Sequence, residues 1–185
     1  MIKVLKDEKR ETMLSKTSIV ICGLLLRETL SAYDIIKKIE EYQMRYWLPI
    51  GNTTVYETAL RLEKKGIIKG GSDQANKVVY TLTESGLKIL KKDLAELFLK
   101  VDYDTIWFSL ALLFSEVFQR EELIQLIKKR KAILEGYREG TVKQIEAMKK
   151  KGIPYQGVCT IERMLEVTAL EEKTLIRLEE EISMK

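Results

Sequence analysis

The 185-residue chain contains no histidine. That absence excludes Ser-His-Asp and Cys-His catalytic pairs, and any zinc site that needs an imidazole. Cysteine is scarce: Cys22 and Cys159 are the only two, and their separation fits neither a metal nor a redox spacing. A reduced, cytoplasmic setting is the expectation. Proline occurs only at positions 49 and 154, and no low-complexity linker divides the chain. Long hydrophobic runs are missing as well. The most apolar stretches, residues 18–26 and 106–114, fall short of the roughly 20 residues a membrane span needs. Residues 1–10 mix acids and bases with no apolar segment, unlike a signal peptide. No phosphate loop, nucleophile–base pair or metal cluster is visible, so neither enzyme activity, cofactor nor metal is expected.

What is present is a chain that is 45% hydrophobic and carries 32 Lys/Arg against 28 Asp/Glu, a net charge of +4. The length suits one large domain or two small ones with a real core. The charge is unevenly spread. Residues 1–92 hold 17 bases and 11 acids, a net of +6, whereas residues 93–185 hold 15 and 17, a net of −2. A basic first half suggests a polyanion partner on one side, although a balance of this size also arises without one.

The first half reads as three helices. Residues 17–27 form a broad apolar helix around Ile21, Leu24 and Leu25. Ser31 caps a second helix to about Glu41, with Ile35, Ile36 and Ile39 on one face. A turn at Pro49-Ile50-Gly51 precedes a third helix, capped by Asn52 or Thr53 and stopped by Gly66 after Lys64-Lys65. Ile67-Ile68-Lys69, a turn over residues 70–76 and the alternating residues 77–82 then predict a hairpin. Thr83 caps a further helix to about Leu99. Three helices, a two-stranded wing and a linking helix make a winged helix-turn-helix, in which the third helix enters the major groove. Winged helices also serve as protein-binding modules, so the order of elements alone leaves both readings open.

Residues 18–90 resemble the PadR family of transcriptional regulators. The resemblance is carried by Ile21-Cys22-Gly23-Leu24-Leu25, Ser31-Ala32-Tyr33-Asp34-Ile35, Thr54-Val55-Tyr56, the run Leu60-Arg61-Leu62-Glu63-Lys64-Lys65-Gly66-Ile67-Ile68, and Tyr80-Thr81-Leu82-Thr83-Glu84-Ser85-Gly86. It implies a dimeric, usually repressive DNA-binding protein with dimerising C-terminal helices. It also implies release, in many relatives, by a small hydrophobic or aromatic ligand. The wing departs from the family in offering only Lys69 and Lys77 around an uncharged Gln74-Ala75-Asn76.

On the third helix Val55, Ala59 and Leu62 share one face by spacing. Arg61 is the candidate base reader, able to pair bidentately with guanine; its other reading is a surface pair with Glu57. Asn52, Thr53 and Thr54 stand where a helix N-terminus meets a phosphate, or where they simply cap. Tyr56 matches a tyrosine typical of the family and either bonds a phosphate or packs on Leu60. Lys37, Lys38, Lys64, Lys69 and Lys77 are candidate phosphate contacts or solvated charges. Cys22 is expected in the core.

Residues 93–185 read as an all-helical dimerisation and effector-sensing domain, following a winged-helix domain of residues 1–92. Residues 104–118 form a helix apolar on nearly all sides. Tyr103, Trp107, Phe108, Phe114 and Trp47 are candidates to line an aromatic effector pocket, or are plain core. A long helix over residues 121–151 repeats Ile127, Leu134 and Met148 by sevens; Gly136 and Gly140 in its middle imply a bend, the favoured reading, or the close approach of another backbone. After a loop at residues 152–157, the last helix, residues 160–182, repeats Ile161, Leu175 and Ile182. Two narrow apolar stripes point to pairing between subunits. A two-fold dimer on an inverted repeat would set two third helices roughly 34 Å apart. The partners expected are therefore double-stranded DNA, a second copy and a small-molecule effector, with no membrane.

Overall fold

The computed structural model describes residues 13–102 and 104–184. The chain divides into two compact units, one ending at Asp93 and the other starting at Leu94. Tyr103 lies outside the described residues.

The first unit opens with α1 (Lys16–Leu24), α2 (Ala32–Glu41) and α3 (Asn52–Lys64), which pack on one another. Helix α1 is apolar all round and buried from Ser18 to Leu24; Ser15 caps it by accepting from the Ser18 amide at 3.2 Å. The Leu14 amide donates to the buried Asp93 carboxylate at 2.7 Å, tying the start of α1 to the far end of the unit. Cys22 is a core residue, its thiol pushed up to about 12 by burial and then by the nearby Asp93 charge. Ser31 begins α2 with a capping box: its hydroxyl accepts from the Asp34 amide at 3.1 Å while the Asp34 carboxylate accepts from the Ser31 amide at 3.3 Å. Helix α3 buries Val55, Thr58, Ala59 and Leu62. It stops as expected at Gly66, whose φ of +69° suits glycine. The Gly66 and Ile67 amides donate back to the Glu63 and Leu62 carbonyls, closing a Schellman motif.

The wing is β1 (Ile68–Ser72) paired antiparallel with β2 (Val78–Leu82), Gly70 opposite Tyr80. Residues 70–72, expected in the turn, are strand: pairing with residues 78–80 outweighs the poor strand propensity of Gly70 and Gly71. The turn is confined to residues 73–77. Asp73 accepts from the Ala75 and Lys77 amides, and Asn76 takes the left-handed conformation that asparagine tolerates. On its other edge β2 pairs through Tyr80 with Leu30, so the wing is anchored to the segment before α2.

Helix α4 (Glu84–Leu99) follows at once. Thr83 Oγ1 accepts from the Gly86 amide at 3.0 Å and lies within 2.9 Å of the Gly66 and Ile67 carbonyls, to one of which it donates.

In the second unit α5 (Ile106–Leu113) is shorter than residues 104–118, ending in a separate 3-10 turn at Ser115–Val117. Helices α6 (Arg120–Lys150) and α7 (Tyr155–Ser183) form an antiparallel hairpin. Its sense is written in the ion pairs: Lys131 with Glu179, Arg138 with Glu172 at 3.2 Å, and Lys149 with Glu162 at 2.8 Å. Gly152, with a φ of +67°, ends α6 in a second Schellman motif. Helix α6 is continuous through Gly136 and Gly140. One expectation fails here. The loop ends at Pro154, which leads straight into α7, so Tyr155, Gln156 and Gly157 are its first turn. The apolar stripes also serve a nearer partner than expected. Ile127, Leu134 and Leu175 are fully buried within the chain, and Met148, Ile161 and Ile182 are half-buried. The stripes of α6 and α7 close largely on their own unit, so a second copy needs other side chains as well.

Candidate nucleic-acid interface

The outer face of α3 gathers most of the candidate DNA contacts. Asn52, Thr53, Thr54, Tyr56, Arg61 and Lys64 are all exposed. Spacing sorts them further. Thr53, Glu57, Leu60 and Lys64 recur one turn apart along the middle of the exposed arc, with Arg61 and Thr54 on one flank and Tyr56 on the other. The expected side-chain cap at Asn52 or Thr53 is replaced by Gly51, which has no side chain to offer. The first amides of α3 therefore keep their donor capacity toward an anion.

Asn52 is held instead by Arg45, a residue that sequence patterning gave no reason to single out. Arg45 donates to the Asn52 side-chain oxygen, to the Ile50 carbonyl at 3.0 Å and to the Glu40 carboxylate at 3.3 Å. One guanidinium thus fixes the turn that aims α3. Arg61 donates to Thr58 Oγ1 at 3.3 Å rather than pairing with Glu57, and lines a cleft of about 210 Å³ beside Ser15 and Lys65. The lysines differ in how free they are. Lys38 pairs with Glu28 at 3.2 Å and Glu41 at 3.3 Å, and Lys77 reaches from the wing to Asp34 at 2.8 Å. Lys37 lies 4.9 Å from the centre of the Tyr33 ring. Lys64 and Lys69 are exposed, with no ion pair among the described residues. Between α2, α3 and the wing runs a groove of about 450 Å³ lined by Tyr33, Tyr56, Leu60, Lys77 and Val78 among others.

The Lys77–Asp34 pair joins the wing to the cap of α2, and it holds the Asp34 carboxyl down at about 2. Donation from Lys77 is the largest cause and donation from the Ser31 hydroxyl the next. A carboxyl depressed below its usual 3.8 adds stability that is complete above about pH 4 and is lost as pH falls toward 2. The stability gap between the parent and Asp34→Asn should therefore narrow over that window, read as urea midpoints at successive pH values. A gap constant from pH 5 to pH 2 would contradict the assignment.

Phe108 and Phe114 are buried, and Phe108 meets Phe98 edge to face at 5.7 Å. Trp47 and Trp107 are half-buried. Among the described residues no helix is long and apolar enough to cross a membrane, and no three Cys, Asp or Glu residues gather as a metal site.

Comparison with known proteins gives this unit its place. Residues 21–92 match the transcriptional regulator PadR-like family. Among solved structures, the PadR-like transcriptional regulator BC1756 from Bacillus cereus is 22% identical, with 90% of this chain and 98% of that chain covered and a TM-score of 0.39. Bacillus subtilis PadR in complex with operator DNA is 20% identical over 89% and 98%, with a TM-score of 0.36. The protein smu.1604c from Streptococcus mutans UA159 is 28% identical over 92% and 99%, with a TM-score of 0.37. No curated protein sequence matches. The stretch matched takes in the last four residues of α1, all of α2 and α3, the wing and the first half of α4, and over it this chain is similar to the PadR-like transcriptional regulators.

Proposed function

We propose that this protein is a cytoplasmic transcriptional repressor that binds an inverted-repeat operator as a homodimer. Helix α3 lies in the major groove and the wing beside the backbone. The observation that carries this is the outer face of α3, polar, exposed and open at its N-terminus, within the PadR-like stretch. The helices of the second unit hold the dimer, and a small hydrophobic or aromatic ligand releases the DNA. Because Phe108 and Phe114 are already packed, such a ligand must repack α5 or use the half-buried Trp47 or Trp107. To act at all it must favour one dimer geometry over another.

The test is selection from a random duplex pool by the pure protein, followed by titration against salt. Sequence-specific binding by two copies predicts a palindromic product and a linear fall of log K with log salt. Arg61→Ala should cost about 1–3 kcal/mol and relax preference at one base pair, while Lys64→Ala and Lys69→Ala weaken all duplexes alike and flatten the slope. Lys77→Ala should do less, since its ammonium already has Asp34. Absence of duplex binding near physiological salt would favour a second reading, a protein-binding module, which the exposed apolar side chains Tyr33, Leu60 and Val78 support.

A further inference from the structure

We propose that Leu60, with the ring of Tyr56 beside it, recognises the 5-methyl group of a thymine in the major groove and so helps set the operator sequence. The inference rests on the DNA-binding role proposed above and assigns one base contact within it.

Leu60 is an anomaly on its helix. Val55, Ala59 and Leu62 are buried against the unit, yet Leu60 is 59% exposed on the outward face of the helix. It belongs to the central line Thr53–Glu57–Leu60–Lys64, closer to the middle of the outward face than Arg61. An aliphatic side chain placed there meets a base edge when α3 enters the groove. Of the groups a base pair presents in the major groove, the thymine methyl is the apolar one; adenine, guanine and cytosine offer N7, O6, N6 and N4. Leucine against any of those would strip water from a polar atom and return no hydrogen bond. Against thymine it buries methyl on methyl. Discrimination therefore comes from both attraction and exclusion.

The surroundings match a duplex on this side. Tyr56, Val78 and Tyr33 extend the apolar surface from Leu60 into the groove between α3 and the wing. At its rim the Lys37 and Lys77 ammoniums lie 4.9 and 5.8 Å from the Tyr33 ring centre, one from α2 and one from the wing. Lys77 is already paired with Asp34 and Glu63 lines the same groove, so Lys37 is the rim cation left to meet a phosphate beside the apolar strip.

The experiment uses the full chain and the operator it selects, with deoxyuridine replacing each thymine in turn. Uracil keeps every hydrogen-bonding group and lacks only the methyl. At one thymine or more the replacement should weaken binding roughly four-fold, the worth of one buried methyl group. Leu60→Ala should show a similar loss on the parent operator and no longer distinguish thymine from uracil at that position. Its fold is checked by circular dichroism; the site is exposed, and alanine is the better helix former. If uracil is tolerated everywhere in an operator still bound specifically, or if Leu60→Ala keeps the discrimination, the role of Leu60 falls while DNA binding stands. An operator selected without thymine also overturns it. If no duplex is bound at all, both proposals fall together.

Discussion

Replacing Glu171 by alanine should destabilise the second unit by about 3–5 kcal/mol, the usual cost of leaving one half of a buried ion pair alone. Its partner Arg130 is fully buried, with its guanidinium 2.5 Å from Glu171 and 3.7 Å from the centre of the Phe108 ring. The same guanidinium donates to the carbonyls of Phe98 at 2.7 Å, Lys100 at 3.0 Å and Leu97 at 3.3 Å. These are among the carbonyls that a helix ending at Leu99 leaves without an intrahelical partner, and a cation there also meets the negative end of the dipole. One side chain on α6 thus joins the end of α4 to α7. Burial pulls the Arg130 pKa down and Glu171 pulls it up, burial being the larger cause. Removing the carboxylate leaves that burial unopposed except by carbonyl dipoles.

The comparison that isolates the charge is a double-mutant cycle. Arg130→Met should also be costly, because it strands the Glu171 carboxylate and the α4 carbonyls together. Arg130→Met with Glu171→Leu should cost clearly less than the sum of the single changes, since no lone charge then remains. Arg130 Nε has no hydrogen-bond partner among the described residues, so the apolar pair also removes one buried unsatisfied donor. Urea midpoints followed by far-ultraviolet circular dichroism read all three. A loss under about 1 kcal/mol for Glu171→Ala would mean that water reaches the guanidinium and the pair is not the anchor described.

Arg130 also shows where the sequence stops being informative. In the seven-residue repeat it stands out only as a polar interruption of the apolar seam, and nothing in the spacing says that a carboxylate and three carbonyls await it. The stripes through Ile127, Leu134 and Leu175 report that one face is buried, but not against what, and α6 and α7 answer each other within one chain. The first unit is far more legible because its signals are local. Ser31 with Asp34, Gly66 after a double lysine, and Thr83 before Gly86 each act within a few residues of their own position. On α3 the residue types pick out the candidate face, but not its state. That Lys38 and Lys77 are paired, that Arg45 holds Asn52, and that Gly51 rather than Asn52 opens the helix are facts of chain segments meeting.

Gly86→Ala should destabilise the first unit by about 1–3 kcal/mol or more, whereas the same change at Gly136 or Gly140 should stabilise α6 by roughly 1 kcal/mol. All three glycines lie inside helices, and what distinguishes them is their neighbours. A Cβ on Gly86 would stand 2.0 Å from the Ile67 carbonyl oxygen and 3.0 Å from its carbon. Those are backbone atoms, and that carbonyl already accepts from the Thr83 amide. The first turn of α4 could admit a methyl only by moving away from the segment between α3 and the wing. The groove beside Leu60 and the position of Lys77 depend on the same wing, so Gly86→Ala should weaken duplex binding as well as lower the melting temperature. At Gly136 and Gly140 a Cβ meets nothing within 4 Å, and alanine gains through helix propensity alone. These two substitutions also probe assembly. Stabilisation at every protein concentration leaves that stretch of α6 facing solvent. Destabilisation that grows with concentration would place the backbone of a second copy against it, locating the dimer contact where the apolar stripes do not. Thermal melts of the three variants over a hundred-fold range of concentration decide between them, and a Gly86→Ala protein as stable as its parent would refute the close approach of α4 to Ile67.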